Sequence, residues 1–296
     1  MTKRRDFIKT SALGISGIVT GSLGYSCSPS TSMKKPAMKF GLVTYMWGAD
    51  WNLPTLISNC EKTGLSAVEL RTHHAHGVET TLSTAQRAEV KKRFADSPVT
   101  CVGYGSNFEF HSPDPVKLRE NIEQAKEYIK LYKEIGASGI KVKPNNIPPD
   151  VPKGKTITQS ATSLNEIGSF AKDHGMLIRV EAHGPHTQEL PNMKAIFDQV
   201  TESSVKICWN CNPVDLNPPG LEGNFNMVKK WIGDVVHIHQ LNLNDYPYQQ
   251  LFKLLSQIDF NGWLLLEDNR IPDNRIAAMK EQLAIFNEMT AKIMKE

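Results

Sequence analysis

Leu177-Ile-Arg-Val-Glu-Ala-His183 is short, apolar and β-branched, and it ends in a carboxylate and an imidazole before Gly184-Pro185 closes it. A strand of this kind buries its body and presents Glu181 and His183 at its C-terminal tip. Three later stretches are built the same way: Val205-Lys-Ile-Cys-Trp-Asn210, Val235-Val-His-Ile-His239 and Trp263-Leu-Leu-Leu-Glu267. The four tips are expected to converge on one metal site.

Working outward, short apolar runs alternate with longer amphipathic ones along the whole chain from Lys39. Strands are expected at 39–45, 67–71, 100–106, 139–143, 177–183, 205–210, 235–241 and 262–268. Helices are expected at 53–63, 84–95, 115–135, 158–174, 192–200, 221–232, 248–257 and 273–295. Asp114-Pro115 starts the third helix with a cap and a proline in its first turn. Gly64, Gly136, Gly175 and Gly262 precede strands and are candidate helix C-caps. Eight β-α units in a 296-residue chain read as α/β, a single (β/α)8 TIM barrel spanning 38–296. A doubly wound sheet would normally carry a glycine-rich phosphate loop after its first strand, where this chain has Tyr45-Met-Trp-Gly-Ala-Asp50.

In a barrel, alternate side chains of each strand face inward. By parity the interior near its top would hold Glu69, Arg71, Lys141, Lys143, Arg179, Glu181, His183, Asn210, His237, His239 and Glu267. So many buried charges are costly unless they pair or bind something. Active sites of such barrels lie at the C-terminal strand ends, so the polar cluster reads as a site.

Bland roles compete for each residue. Glu181 and Glu267 could pair with Arg179, Lys141 or Lys143 in a structural network. His237 lies two residues deeper than His239 and reads as support or packing rather than a ligand. His73, His74 and His76 have no carboxylate at ligand spacing and read as solvent or substrate contacts. Glu109 and His111 could reach a polar substrate or close a loop. Trp47 and Phe108 could be platforms for a substrate or packed loop residues.

At these residues the chain resembles the xylose isomerase-like family of sugar epimerases and isomerases. The resemblance rests on Val-Glu-Leu at 68–70, the Glu-x-His ending the fifth strand, the His-x-His ending the seventh and Glu267 ending the eighth. It implies a divalent metal, Mn²⁺ or Mg²⁺, held by Glu181, Asn210, His239 and Glu267. It also implies that Glu181 and Glu267 flank the carbonyl and hydroxyl carbons of a small sugar and relay a proton. Oxygen donors with one imidazole suit those ions. A bound metal would acidify the C–H next to the carbonyl, and a glutamate would remove its proton to give an enediolate. Lys141 is the next candidate base. Glu69, His111, Lys143, His183 and Trp47 are the candidate substrate contacts.

The chain departs from the family pattern on the sixth strand. Where the family has Asp followed three residues later by His, Asn210 and Pro213 stand here. Asn supplies a neutral oxygen, and the missing His removes a substrate contact. Asn212 or Asp215 could compensate. The departure raises a second reading, a lyase or hydratase acting on 3-keto-glycosides, and a third, a non-catalytic carbohydrate-binding barrel.

Residues 1–27 read as a signal peptide of the twin-arginine type, Lys3-Arg-Arg-Asp-Phe-Ile-Lys9 followed by a small-residue apolar run. Cys27 sits in an imperfect lipobox, and 28–37 read as a linker. The expected location is the periplasm or outside the cell, with or without a lipid anchor at Cys27. The formal charge of +3 is that of the leader alone, Lys3, Arg4, Arg5 and Lys9 against Asp6. The remainder is neutral, which argues against nucleic acid or an anionic membrane as partner. No stable membrane span is expected in the mature form, and an oligomer is left open. Cys60, Cys101, Cys208 and Cys211 read as buried thiols, with a disulfide as the lesser option.

Overall fold

The computed structural model describes residues 38–293 and 295. The leader, Cys27 and the linker at 28–37 lie outside the described residues.

Among those described, eight strands alternate with eight helices. The strands are β1 (Lys39–Val43), β2 (Ala67–Arg71), β3 (Thr100–Glu109), β4 (Gly139–Lys143), β5 (Leu177–Glu181), β6 (Val205–Trp209), β7 (Ile232–Ile238) and β8 (Trp263–Leu266). The helices are α1 (Leu53–Thr63), α2 (Thr84–Ala95), α3 (Pro115–Glu134), α4 (Lys153–Asp173), α5 (Leu190–Phe197), α6 (Leu221–Val228), α7 (Tyr248–Gln257) and α8 (Arg275–Ile293). The strands close in sequence order into one parallel barrel, with β1 pairing both β2 and β8. The chain is a single (β/α)8 TIM barrel.

Strand alternation divides the apolar side chains into two cores. Phe40, Leu42, Val68, Leu70, Ile140, Val142, Ile178, Val180, Ile207, Val236, Ile238, Leu264 and Leu266 face outward into the layer beneath the helices. Val43, Ala67, Val102, Cys208, Val235 and Leu265 form a small separate cluster inside the barrel. The remaining inward positions are polar, which is why the interior is a site and not only a core. Helix starts follow local chemistry: Asn52 caps α1, Ser83 and Gln86 make a reciprocal capping box on α2, and Asp114 caps α3. Helix α4 begins at Lys153, earlier than the sequence reading, because Thr156 and Ile157 already turn into the core.

Gly64, Gly136 and Gly175 take the positive φ of helix ends, 80°, 91° and 65°. Gly262 does not. Asp259 takes the left-handed turn there, with φ 53°, and a Cβ on Gly262 would collide with the backbone of Asp234. That glycine permits close strand approach and is not a cap.

The barrel floor is closed by Arg179. Its side chain is fully buried, and its guanidinium donates twice to the Asp234 carboxylate at 2.8 Å. It also donates to Val102 O at 3.1 Å and Ser138 Oγ at 2.7 Å. Gly103 and Gly139 leave the room: a Cβ on either would stand 2.7 or 2.8 Å from Arg179 Nη1. Arg179 therefore shares inward parity with Glu181 but belongs to the floor, not to the mouth of the barrel. All four described cysteines are buried free thiols. No helix among the described residues is long and apolar enough to cross a membrane.

Candidate active site at the mouth of the barrel

The C-terminal strand ends surround a cavity of about 400 Å³. Arg71 enters it from β2, Lys141 and Lys143 from β4, and Glu181 with His183 from β5 and its exit. Asn210 and Asn212 follow β6, His239 follows β7, and Glu267 to Arg270 follow β8, with Tyr45 beyond β1. The four tips read from sequence thus meet in one place.

Beneath the cavity lies a charged cluster. Lys141 Nζ is in direct contact with Glu181 Oε2. His237 Nδ1 stands 2.9 Å from Glu267 Oε2 and 3.7 Å from Glu181 Oε1, and its Nε2 stands 3.3 Å from Glu69 Oε1. These approaches are ion pairs by distance rather than aligned hydrogen bonds, since neither His237 nitrogen and neither Glu69 oxygen has a partner in hydrogen-bond geometry. Gly105 makes space for Glu69 and Arg71, because a Cβ there would stand 2.7 Å from both.

Burial raises the pKa of Glu181, but Lys141 and then His237 outweigh it and hold the carboxyl well below the usual range. Glu267 is brought to about 2 in the same way, burial being overcome by the His237 imidazolium. Burial disfavours a charge on His237, yet the Cys208 sulfur and the Glu267 and Glu69 carboxylates beside it raise its pKa well above the ordinary value. At neutral pH the cluster is therefore two ionised glutamates joined by an imidazolium, with Lys141 against one of them.

His183 is set by its loop. Its Nδ1 lies 2.7 Å from Asn145 Oδ1, and Asn145 Nδ2 donates to Glu109 Oε1 at 2.6 Å. The second bond fixes the amide orientation, so His183 Nδ1 carries the proton and Nε2 is the free acceptor. Burial lowers the His183 pKa, which keeps the ring neutral. Gly184, with φ 86°, lets this loop pass against Asn145, where a Cβ would collide with the backbone.

The donors suffice for a divalent cation. One oxygen each from Glu181 and Glu267 lie within 4.8 Å of one another and of a His237 nitrogen, and His237, as an imidazolium, supports the two carboxylates rather than ligating. Asn210 and His239 line the same cavity, and the Asn210 carboxamide makes no hydrogen bond among the described residues. Two carboxylates, an amide oxygen and imidazole nitrogen form a set that suits an oxygen-seeking ion.

Several sequence candidates lie elsewhere. Trp47 is 1% exposed in the outer core and donates Nε1 to Arg270 O at 3.0 Å. It supports the β8 loop and does not line the cavity. Glu69 is wholly buried beneath His237, one layer below the cavity wall. His111 Nδ1 sits 3.0 Å from Pro144 O and ties two loops together. Phe108 packs on Tyr104 and Tyr128. His76 is buried with its ring against Arg71 O and Val78 N, and His74 bonds Thr44 Oγ1. Asp215 is buried with Tyr246 and is not on the cavity wall, whereas Asn212 is, held by its bond to Ala182 O at 2.6 Å. The sequence reading missed Tyr45 and the run Asp268, Asn269, Arg270. Its signal was the unbroken polar stretch after Glu267, in which Arg270 folds back on Asp268 at 2.7 Å.

The model of xylose isomerase-like TIM barrels matches residues 57–289. This chain belongs to that family. No curated protein sequence matches it. Among solved structures, the xylose isomerase-like barrel seen here is similar to 3-keto-D-glucoside 4-epimerase from E. coli, with TM-score 0.71 and 14% identity over 85% of this chain and 99% of that one. It is similar to D-psicose 3-epimerase determined in the presence of D-fructose, with TM-score 0.70 and 17% identity over 86% of this chain and 99% of that one. It is also similar to the IolI protein with a bound zinc atom, with TM-score 0.70 and 16% identity over 87% and 98%. At these identities the likeness is one of fold.

Proposed function

We propose that this chain is a sugar isomerase or epimerase that enolises a keto sugar. The observation that carries the reading is the pair Glu181 and Glu267, two carboxylates held ionised and facing one sugar-sized cavity. Family membership and the neighbouring epimerase folds support the same class.

In this reading Glu181, Asn210, His239 and Glu267 would hold a divalent metal, Mn²⁺ or Mg²⁺, which would supply polarisation of the sugar carbonyl and its neighbouring hydroxyl. The protein's own groups do the proton transfer. Glu267 Oε2 faces His237, so its Oε1 is the oxygen open to accept the proton from the carbon next to the carbonyl. The enediolate so formed is re-protonated on the other face by a proton that Glu181 relays from the Lys141 ammonium against it, which inverts the centre; Lys141 then regains a proton from water as Glu267 releases one. Return to the neighbouring carbon instead gives isomerisation. Lys141 keeps Glu181 anionic between turnovers, and His183 Nε2 with Asn212 orients sugar hydroxyls.

Asn210 favours a second reading. A neutral donor in place of a carboxylate weakens the hold on the cation, and the same enolisation leads to elimination when a leaving group adjoins the enediolate. A lyase or hydratase acting on 3-keto-glycosides would use the same glutamates. The twin-arginine pattern in residues 1–27 supports work outside the cytoplasm.

The test is NMR of the protein with Mn²⁺ or Mg²⁺ in D₂O against free ketoses and 3-keto-glucosides. Epimer formation with deuterium uptake supports the first reading and aglycone release the second. Glu267→Gln should lower exchange by about a hundredfold or more while the fold persists. Exchange that survives this change, or binding with no turnover of any sugar, refutes the assignment. Elemental analysis should find about one divalent ion per chain.

A further inference from the structure

The charged groups on the cavity wall do not balance. Four are cations, Arg71, Lys141, Lys143 and Arg270, and three are carboxylates, Glu181, Glu267 and Asp268. Lys141 is matched to Glu181, and Arg270 to Asp268 and Asp245. Glu267 is matched to His237 from below. Arg71 and Lys143 are left over.

Lys143 is only 8% exposed, yet its ammonium makes no hydrogen bond among the described residues and has no carboxylate within 4.0 Å. Glu109, its register partner on β3, is engaged by Asn145. Arg71 makes only long hydrogen bonds, to Ser106 O at 3.5 Å and Asn107 Oδ1 at 3.3 Å, its guanidinium stands 5.5 Å from the centre of the Tyr45 ring, and its buried Nε has no hydrogen-bond partner, so no carboxylate neutralises it. The two side chains come from β2 and β4, either side of β3, whose Gly105 leaves the intervening space to Arg71. A buried ammonium without a partner is costly, and a ligand of opposite charge removes that cost. A divalent ion on Glu181 and Glu267 would engage both carboxylates and leave the cations in greater excess.

We propose that Arg71 and Lys143 bind an anionic group of the substrate, so that the sugar turned over here carries a carboxylate or a phosphate. This inference rests on the reading of the cavity as the substrate site. A planar guanidinium beside an ammonium suits either oxyanion.

The experiment compares one ketose in three forms: D-fructose, D-fructuronate and D-fructose 6-phosphate. Binding is measured by calorimetry and C–H exchange by NMR in D₂O, with the full mature chain and Mn²⁺. One of the anions should bind at least about tenfold more tightly than fructose. Lys143→Met and, separately, Arg71→Gln should each reduce that ratio, and the double variant should bring it to about one. Lys143→Met removes an unpaired buried charge, so it should fold at least as stably as the parent, and thermal unfolding checks this. Which anion wins separates the carboxylate from the phosphate. Fructose binding as tightly as both anions, no measurable binding of either, or a preference that survives the double variant each overturns the proposal. Tight anion binding without C–H exchange upholds the anion site and removes enolisation. Exchange with fructose alone does the reverse.

Discussion

Lys141 and Glu181 meet as a buried ion pair at the C-terminal ends of adjacent strands, their side chains 1% and 3% exposed. The pair brings a positive charge to the carboxylate proposed above as a metal ligand. Glu181 also lies 3.7 Å from His237, so it stands between two cations before any metal arrives.

Removing one partner of a buried pair leaves the other charge uncompensated. Lys141→Met should cost roughly 3–5 kcal/mol in urea unfolding. The double variant Lys141→Met, Glu181→Gln should recover part of that loss, because no lone carboxylate remains. A double variant as unstable as the sum of the two single changes would show that the pair is energetically idle.

The acid limb of stability should come from the β8 tip. Glu267 and Asp268 each lie at about 2 in the folded chain, against 4.5 and 3.8 for the free groups. Burial opposes both shifts. His237 outweighs it for Glu267, and the Arg270 hydrogen bonds do so for Asp268. Lowered folded values mean that the unfolded chain binds more protons in this window, so stability rises with pH there. The contribution is fully present above about pH 4.5 and is lost as the pH falls towards 2, on the order of a few kcal/mol in all. Urea midpoints at pH 7, 4.5 and 3 should trace the loss, and Asp268→Asn should flatten it.

Asp215 should act with the opposite sign. Burial lifts its pKa from 3.8 to about 7, despite the hydrogen bond from Tyr246 at 2.9 Å, and its Oδ1 has no partner. A raised folded value means that the native chain holds the extra proton, so stability falls as pH rises from 3.8 to about 7. Asp215→Asn should therefore be more stabilising at pH 8 than at pH 4, by on the order of 2–4 kcal/mol. Equal effects at the two pH values would place the carboxylate charge elsewhere.

Parity was legible in the sequence because strand side chains alternate strictly. That is why Glu69, Arg71, Lys141, Lys143, Glu181 and Asn210 were all assigned to the interior. Depth was not legible, because it depends on strand stagger and on side-chain length. Glu69 and Arg179 have inward parity, yet one lies under the site and the other closes the floor through Asp234. The holes that admit Arg179 exist only because Gly103 and Gly139 lack side chains, and those two strands meet only in the closed barrel.

Loop residues were harder still. Trp47 and His111 each read as either a substrate contact or a loop residue, and each is fixed by a bond to a carbonyl from another loop, Arg270 O and Pro144 O. Local sequence carries no record of such a partner. The β8 tip shows the converse: Asp268 and Arg270 join the cavity because Arg270 turns back onto Asp268 and Asp245.

Gly184 should prove as important as the charged residues it adjoins. It holds φ at 86°, a region that costs other residues on the order of 1–3 kcal/mol. A Cβ there would stand 2.7 Å from Asn145 Cα and collide with the Asn145 carbonyl, so the loop after β5 must move away. That movement breaks the bond from His183 Nδ1 to Asn145 Oδ1 and frees the ring to turn. Gly184→Ala should lower kcat/KM by roughly tenfold to a hundredfold, the range expected when a positioning contact shifts by about 1 Å. The barrel should remain folded, since Gly184 lies outside both apolar cores. Asn145→Ala should reproduce the loss without the backbone strain. If Asn145→Ala is fully active while Gly184→Ala is not, the effect is strain alone and His183 has no orienting role.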